Sequence, residues 1–110
     1  MKHDRTKATS IPPKVREEVE KRDSVNGVPC CIFCGSPNAR GEAHFIRRSQ
    51  GGLGIPQNLL TACRVHHRLL DESEFSGMYK QKAKEYLKSK YPDWNEDDLV
   101  YNKWRDYKFK

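Results

Sequence analysis

The spacing of hydrophobic and polar residues predicts short helices and strands separated by turns rich in glycine, proline and asparagine. A proline pair at 12–13, which suits the first turn of a helix, followed by apolar residues four positions apart, predicts a short helix that runs to about Arg22. Alternation of side chains predicts an extended segment over 42–48. Three glycines and a proline predict a loop over 49–57, and 58–62 is predicted to be a second strand.

The second half of the chain is predicted to be mainly helical. One helix is expected to begin at about Cys63, and a longer one is expected over 75–90. Acidic residues directly after Asn95 predict a last helix over 96–104 that this residue caps.

The length and the composition of the chain indicate that its hydrophobic core is small. A chain of 110 residues with 35% hydrophobic residues supports one domain, which we predict over 11–110. Residues 1–10 are polar and basic without periodicity, so they are predicted to form a flexible basic arm. A domain of this kind is expected to need a metal ion or another cross-link for its stability.

Charge and hydropathy narrow the class of protein. The chain carries 21 lysines and arginines against 15 aspartates and glutamates, and a net charge of +6 favours a polyanionic partner. No apolar run approaches the roughly 18 residues of a membrane-spanning helix, and the first ten residues lack the apolar core of a signal peptide. We therefore expect a cytoplasmic protein without membrane partners, whose four cysteines are reduced.

Two pairs of potential metal ligands lie in the chain, each with two residues between its members. Cys31 and Cys34 form the first pair, and Cys63 and His66 form the second. Two ligands on a tight turn and two on the first turn of a helix are typical of a structural zinc site. The alternative is that the first two cysteines are small buried hydrophobic residues and that His66 lies on the surface. Cys30 is left over and is interpreted as a strand residue.

Four further polar residues lie between and just after these pairs: His44, Asn58, His67 and Asp71. His67 and Asp71 are four positions apart on the predicted helix, so they share a face and could bind one hard divalent cation. His44 lies in the predicted strand and could act as a general base near neutral pH. Taken singly, each residue also has a plain structural interpretation, and only the joint spacing favours a site.

That joint spacing resembles a known nuclease motif. The chain reads CIFC over 31–34, AHFIRRSQGG over 43–52 and NLLTACRVHHRLLD over 58–71, which resembles the HNH endonuclease family. It is most similar to the small stand-alone HNH endonucleases of tailed bacteriophages. The residues that give the motif its name fall on His44, Asn58 and His67. The resemblance implies a small α+β fold, a zinc-stabilised ββα-metal (treble-clef-like) finger over about 31–72. An N-terminal helix and C-terminal helices over 73–110 would flank this finger.

The resemblance also implies an activity, the hydrolysis of phosphodiester bonds in DNA by nicking or by weakly sequence-specific cleavage. His44 would activate a water molecule as the general base, and Asn58 would orient this base or bind the ion. His67 and Asp71 would bind one divalent cation, usually Mg²⁺ or Mn²⁺ with other divalent ions possible, which stabilises the departing 3′-oxygen. Products with 5′-phosphate and 3′-hydroxyl ends are expected. A monomer or weak dimer is expected, located in the cytoplasm of a bacterial host cell if a phage encodes the chain. By analogy with the family alone, phage terminase or portal proteins are possible partners.

Arginines surround these residues. Positions 40 to 68 hold five arginines and one glutamate, so this stretch carries +4 of the net +6. Arg48 is expected to share the strand face of His44 and to contact the scissile phosphate or its neighbour. For Arg40, a plain exposed position on the surface is as good an interpretation as phosphate binding. The four arginines predicted to bind nucleic acid are Arg47, Arg48, Arg64 and Arg68.

The chain departs from the family pattern at two positions. Many members carry an aspartate ligand directly before the first histidine, where this chain has Ala43, and Glu42 would point to the same side as His44. His66 stands where a fourth cysteine is usual, and zinc accepts this set. Ala43 favours the alternative of a catalytically inactive zinc module that binds DNA or docks a partner. A looser alternative, from analogy alone, is an accessory to a phage DNA-packaging terminase.

Overall fold

Four helices and two antiparallel hairpins make up the part of the chain that the computed structural model describes, residues 4–72 and 74–101. This is a small α+β arrangement, as the sequence predicted at that coarse level. The helices are α1 (Asp4–Thr9), α2 (Pro13–Arg22), α3 (Arg64–Glu72) and α4 (Ser76–Lys90). The strands are β1 (Ser24–Val25), β2 (Val28–Pro29), β3 (Ala39–His44) and β4 (Leu59–Cys63).

Helix α2 ends at Arg22, as predicted. Proline at its first position fits a helix start, because the missing N–H has no partner there in any helix. The helix buries Val19 against the β3–β4 hairpin, and its last turn carries two basic residues that favour the negative end of the helix dipole.

Strands β3 and β4 pair in antiparallel register, with Ala43 opposite Leu60 and His44 opposite Leu59. The register shifts between Arg40 and Ala43, which marks a bulge. Strand β4 agrees with its prediction, but β3 ends at His44, earlier than the extended segment predicted to reach residue 48.

The early end of β3 has a physical cause. Beyond this strand the backbone N–H of Ile46 donates to the side-chain Oδ1 of Asn58 at 2.8 Å. The amide group of Asn58 therefore takes the place of a ladder partner, and the chain turns into the loop instead of continuing the sheet.

Helix α3 follows β4 without a linker and packs against α4, and both helices cover one face of the β3–β4 hairpin. The predicted helix 75–90 is observed over Ser76–Lys90. Asn95 caps the last element as predicted, since its Oδ1 accepts from Asp97 N at 2.9 Å. That element is a single 3-10 turn over Glu96–Leu99, and residues 102–104 of the predicted helix lie outside the described part. The core between these elements contains Phe45, Leu60, Leu70, Ala83, Leu87 and Leu99.

The N-terminal residues differ from the predicted flexible arm. Residues 4–9 form α1, and Ala8 O accepts a hydrogen bond from Gly54 N at 2.9 Å. The sequence did not indicate this packing, because the contacts come from a loop more than 40 positions away. None of the helices in the described ranges is both long and apolar enough to cross a membrane.

Candidate functional site

The four residues predicted to bind zinc lie together in the structure. Cys31 and Cys34 occupy the turn after β2, Cys63 ends β4, and His66 lies in the first turn of α3. Their donor atoms all lie within 4.8 Å of one another. The Sγ atoms of Cys34 and Cys63 are 3.8 Å apart, and Cys63 Sγ lies 3.2 Å from His66 Nδ1.

The backbone of the first pair is shaped for this purpose. Cys31 O accepts from Gly35 N at 2.8 Å, and Cys31 N donates to Ser36 O at 2.9 Å. Gly35 has a φ of 78°, a left-handed conformation that glycine adopts without a steric penalty. The turn therefore folds back on itself and directs both thiols to one side.

The geometry of the cluster fits a tetrahedral metal ion. Two sulfur ligands at zinc's usual bond length of about 2.3 Å stand about 3.8 Å apart in a tetrahedron, which is the Cys34–Cys63 separation observed. Burial raises the pKa of the Cys31 thiol, but backbone N–H groups of Cys63 and Cys34 donate to its sulfur and lower the pKa overall. The Cys3His cluster can therefore bind a metal ion such as zinc.

Two aromatic residues contact the ring of His66, and no local sequence pattern predicts this contact. Phe33 stacks on the imidazole at a centroid distance of 5.6 Å, and Tyr79 of α4 meets it edge-on at 5.5 Å. These contacts fix the orientation of the ring. Cys30 lies outside the cluster, with its Sγ atom 3.2 Å from Val28 O.

A second group of polar residues in α3 begins directly after His66. His67 Nε2 lies 3.2 Å from Asp71 Oδ2, so the predicted i, i+4 pair is brought together. The other carboxylate oxygen, Asp71 Oδ1, is buried and has no hydrogen-bond partner among the described residues. The pKa of His67 is raised, first by its hydrogen bond to Asp71 and also by the negative charges of Glu42 and Glu72.

His44 ends β3 on the same side of the molecule. Its Nε2 lies 3.1 Å from the backbone carbonyl oxygen of Thr9. Because a carbonyl oxygen can only accept, Nε2 carries the proton and Nδ1 is left with the lone pair. Burial lowers the pKa of His44, and the positive charge of Arg48 lowers it further. The imidazole is therefore neutral at neutral pH, the form that a general base requires.

Asn58 is not brought to this group. It is fully buried, and its Nδ2 donates to Ile46 O at 3.2 Å and to Leu53 O at 2.8 Å. With Oδ1 bound to Ile46 N, the amide uses its hydrogen bonds to close the loop between β3 and β4. The structure gives Asn58 a role in holding the end of β3, and its predicted role as a metal ligand stays a prediction.

The two residues before His44 face opposite ways, as alternation predicted. Ala43 is 1% exposed and belongs to the core. Glu42 lies on the side of His44 and forms an ion pair with Arg16 of α2 at 3.1 Å. Its negative charge contributes to the raised pKa of His67.

A groove of about 980 Å³ opens beside these residues, between β3 and the outer face of α3. His67 and Asp71 line it together with three exposed arginines, Arg40, Arg64 and Arg68. Among the described residues no carboxylate pairs with these three guanidinium groups or with Arg47. Arg48 differs, because its guanidinium group donates to Thr9 and Ser10.

Comparisons of the chain with models of protein families, with curated proteins and with solved structures find no match. The described residues combine a Cys3His cluster, a neutral histidine, a histidine–aspartate pair and a groove lined by arginines.

Proposed function

We propose that this protein is a metal-dependent DNA endonuclease of the HNH type. In this proposal the β3–β4 hairpin and α3 form the ββα-metal finger, and zinc at the Cys3His cluster stabilises it. The observation that carries the proposal is that His44 lies close enough to the His67–Asp71 pair for their charges to act on its pKa. The same pair lines a groove with arginines that form no ion pair among the described residues.

The residues present fit a second, divalent cation. Asp71 Oδ1 is buried without a partner in the described part of the chain, and a bound cation would satisfy it. His67 and Asp71 would hold Mg²⁺ or Mn²⁺, and Glu42 lies close enough for its charge to act on the same histidine. The ion would supply Lewis-acid stabilisation of the charge that develops on the departing 3′-oxygen.

The chain supplies the proton transfer and the binding of the substrate. His44, neutral and with its lone pair on Nδ1, takes the proton from a water molecule as the water oxygen attacks phosphorus. The bond from phosphorus to the 3′-oxygen breaks, and this oxygen takes a proton from solvent water, which leaves a 5′-phosphate and a 3′-hydroxyl. Asn58 takes part indirectly, because its amide fixes the end of the strand that carries His44.

Arginines on both sides of this centre would bind the DNA backbone. Arg64 and Arg68 line the groove, and Arg47 is exposed at the start of the loop. Guanidinium groups without carboxylate partners are free to bind phosphate oxygens in the bidentate manner that arginine favours. Contacts to the backbone carry no base information, which supports nicking or weakly specific cleavage.

The proposal is tested by incubating purified protein with supercoiled plasmid and Mg²⁺ or Mn²⁺, with and without EDTA. Nicked or linear plasmid is expected only with free divalent ion, and His44→Ala is expected to abolish it while zinc content is retained. Arg64→Ala with Arg68→Ala is expected to weaken DNA binding, whereas Lys88→Ala on the exposed face of α4 is the matched control. Intact plasmid under conditions in which the protein binds DNA would contradict the proposal.

A second candidate is a zinc module that binds DNA without cutting it. The position of Ala43 favours it, since the residue that replaces the family's aspartate is buried in the core and offers no ligand. The same plasmid assay separates the two, because such a module retards DNA but leaves it intact. An accessory role to a packaging terminase, a host-cell cytoplasmic location and a monomeric or weakly dimeric state stay predictions.

A further inference from the structure

Residues 5–10, named here the N-terminal segment, lie directly against the proposed active site. We propose that this segment is part of that site and that Thr9 is a positioning residue for His44 and Arg48. The inference rests on the proposed nuclease function and extends it to a segment outside the motif. Three sets of contacts carry it.

The first set concerns the base. Thr9 is 3% exposed, and its carbonyl oxygen accepts from His44 Nε2 at 3.1 Å. This hydrogen bond fixes the rotation of the imidazole ring and keeps the proton on Nε2. Nδ1 is thereby the only nitrogen of His44 that can take a proton from water.

The second set concerns Arg48. Its Nε donates to Thr9 Oγ1 at 3.2 Å, and its Nη2 donates to Ser10 Oγ at 2.8 Å. Each hydroxyl in turn donates to a carbonyl oxygen of α1, Thr9 to Arg5 O at 2.8 Å and Ser10 to Thr6 O at 2.6 Å. The hydroxyl protons are therefore directed away from Arg48, and both oxygens present lone pairs to the guanidinium group.

The third set holds the segment in place. Gly54 N donates to Ala8 O at 2.9 Å, and Arg5 Nη2 donates to Ser49 O at 2.8 Å. A Cβ atom at Gly54 would lie 1.9 Å from Ser10 O, so only glycine allows this approach. The segment and the loop after β3 are thus packed against each other.

The base lines an open pocket beside the segment. This pocket of about 270 Å³ is lined by Thr9, Ile11, Pro13, Arg16, Glu42, His44 and Arg48. One nitrogen of Arg48, Nη1, makes no hydrogen bond within the described residues and remains for a phosphate oxygen. The segment therefore orients both the proton acceptor and one cation of the site.

The contact to His44 is tested by NMR of the full-length zinc-loaded protein. Nitrogen-15 spectra of the histidine rings are expected to show His44 as the Nε2–H tautomer, with this proton protected from exchange. Gly54→Ala forces Ser10 away and is expected to remove that protection, whereas Gly77→Ala, which meets open space, leaves it unchanged. A wild-type His44 with its proton on Nδ1 would overturn the inference.

The consequence for catalysis is tested with the same variants. Gly54→Ala is expected to lower kcat about tenfold or more, since the base loses its orientation. The double variant Thr9→Val with Ser10→Ala keeps the carbonyl but frees Arg48. It is expected to raise KM for DNA about fivefold with the His44 tautomer unchanged. Ser89→Ala is the matched control, since this hydroxyl also donates to a helix carbonyl, that of Tyr86.

The outcomes separate the two proposals. If the wild-type protein does not cut DNA, the proposed function fails whatever the NMR spectra show. If it cuts and the Gly54 and Thr9–Ser10 variants cut equally well with unchanged zinc content, only the inference fails. Faster cleavage by Gly54→Ala would also overturn it, because the segment would then block the site instead of positioning it.

Discussion

Asp23 is a buried carboxylate that ties α2 to β4 and to α4. It accepts from Arg22 at 2.8 and 2.9 Å, from Thr61 N at 3.0 Å, and from the hydroxyl of Tyr86. Burial alone would lower the pKa of the Arg22 guanidinium group. The hydrogen bond and the negative charge of Asp23 raise this pKa by more, so it lies above its ordinary value. The pair is stable because every charge in it has partners.

Replacement of Asp23 by alanine is expected to destabilise the protein strongly. The change would leave the guanidinium group of Arg22, whose side chain is 12% exposed, without its carboxylate. Breaking a buried ion pair in this way costs about 3–5 kcal/mol in the free energy of unfolding. Denaturant titration followed by circular dichroism measures it. The control is Asp93→Ala in an exposed turn, expected within about 0.5 kcal/mol of wild type, and equal losses for both variants would refute the argument.

The protonation of His44 predicts how cleavage depends on pH. Its pKa is lowered by burial and by the charge of Arg48, so the neutral base persists to lower pH than in a free histidine. The part of the pH profile that reports His44 is therefore expected to lie below the ordinary pKa of histidine. Arg48→Gln removes a positive charge, which raises the pKa and moves the acidic limb to higher pH. An NMR titration of His44 in both proteins is an independent measurement, and a shift in the opposite direction would contradict this assignment.

Local spacing was enough to predict some of these residues. The contacts between residues far apart in the sequence could not be predicted. His67 and Asp71 share a helix face because they are four positions apart, and two-residue gaps suffice to identify the Cys3His cluster. The partner of Asp23 on α4 is 63 positions away, and that of His44 on α1 is 35 positions away. Nothing in the local sequence of either residue indicates such a partner.

At the level of elements, the loop between β3 and β4 determines where the strand that carries His44 ends. Its glycines predicted a loop, but the role of each depends on packing. A Cβ atom at Gly52 would lie 1.7 Å from Ile46 O, and Gly52 N donates to Arg47 O at 2.9 Å. Alternation of side chains could not show this close approach, so the predicted strand extended too far.

Gly52→Ala is therefore expected to disrupt the loop. The added methyl group meets backbone atoms that cannot move away as a flexible side chain would. The expected cost is about 1–3 kcal/mol or more in the free energy of unfolding. Gly77→Ala is the matched control, because its Cβ meets no atom within 4 Å and alanine favours a helix by up to about 1 kcal/mol. Thermal unfolding of the two variants checks the contrast, and similar stabilities would contradict it.

At the scale of the whole molecule, the Cys3His cluster joins elements that the small core holds only in part. It connects the turn after β2 to the end of β4 and the start of α3, while Phe33 and Tyr79 extend the contact to α4. The sequence predicted both the small core and the need for a cross-link, since both follow from composition. It could not predict the packing of α1 on the loop, which depends on the folded surface.

Loss of one ligand of the cluster is expected to unfold this part of the molecule. Cys34→Ser should release the zinc, expected at about one ion per chain in the wild type, and lower Tm by at least about 10 °C. Cys30→Ser is the matched control, since Cys30 lies one position before the cluster but outside it, and it should retain both metal and Tm. Metal analysis and thermal unfolding, with and without chelator, measure the two effects.

Because a ligand that binds only the folded state raises stability with its concentration, added zinc should raise Tm of the wild type but not of Cys34→Ser. Equal zinc contents and Tm values for the two variants would show that the thiols are merely small buried side chains.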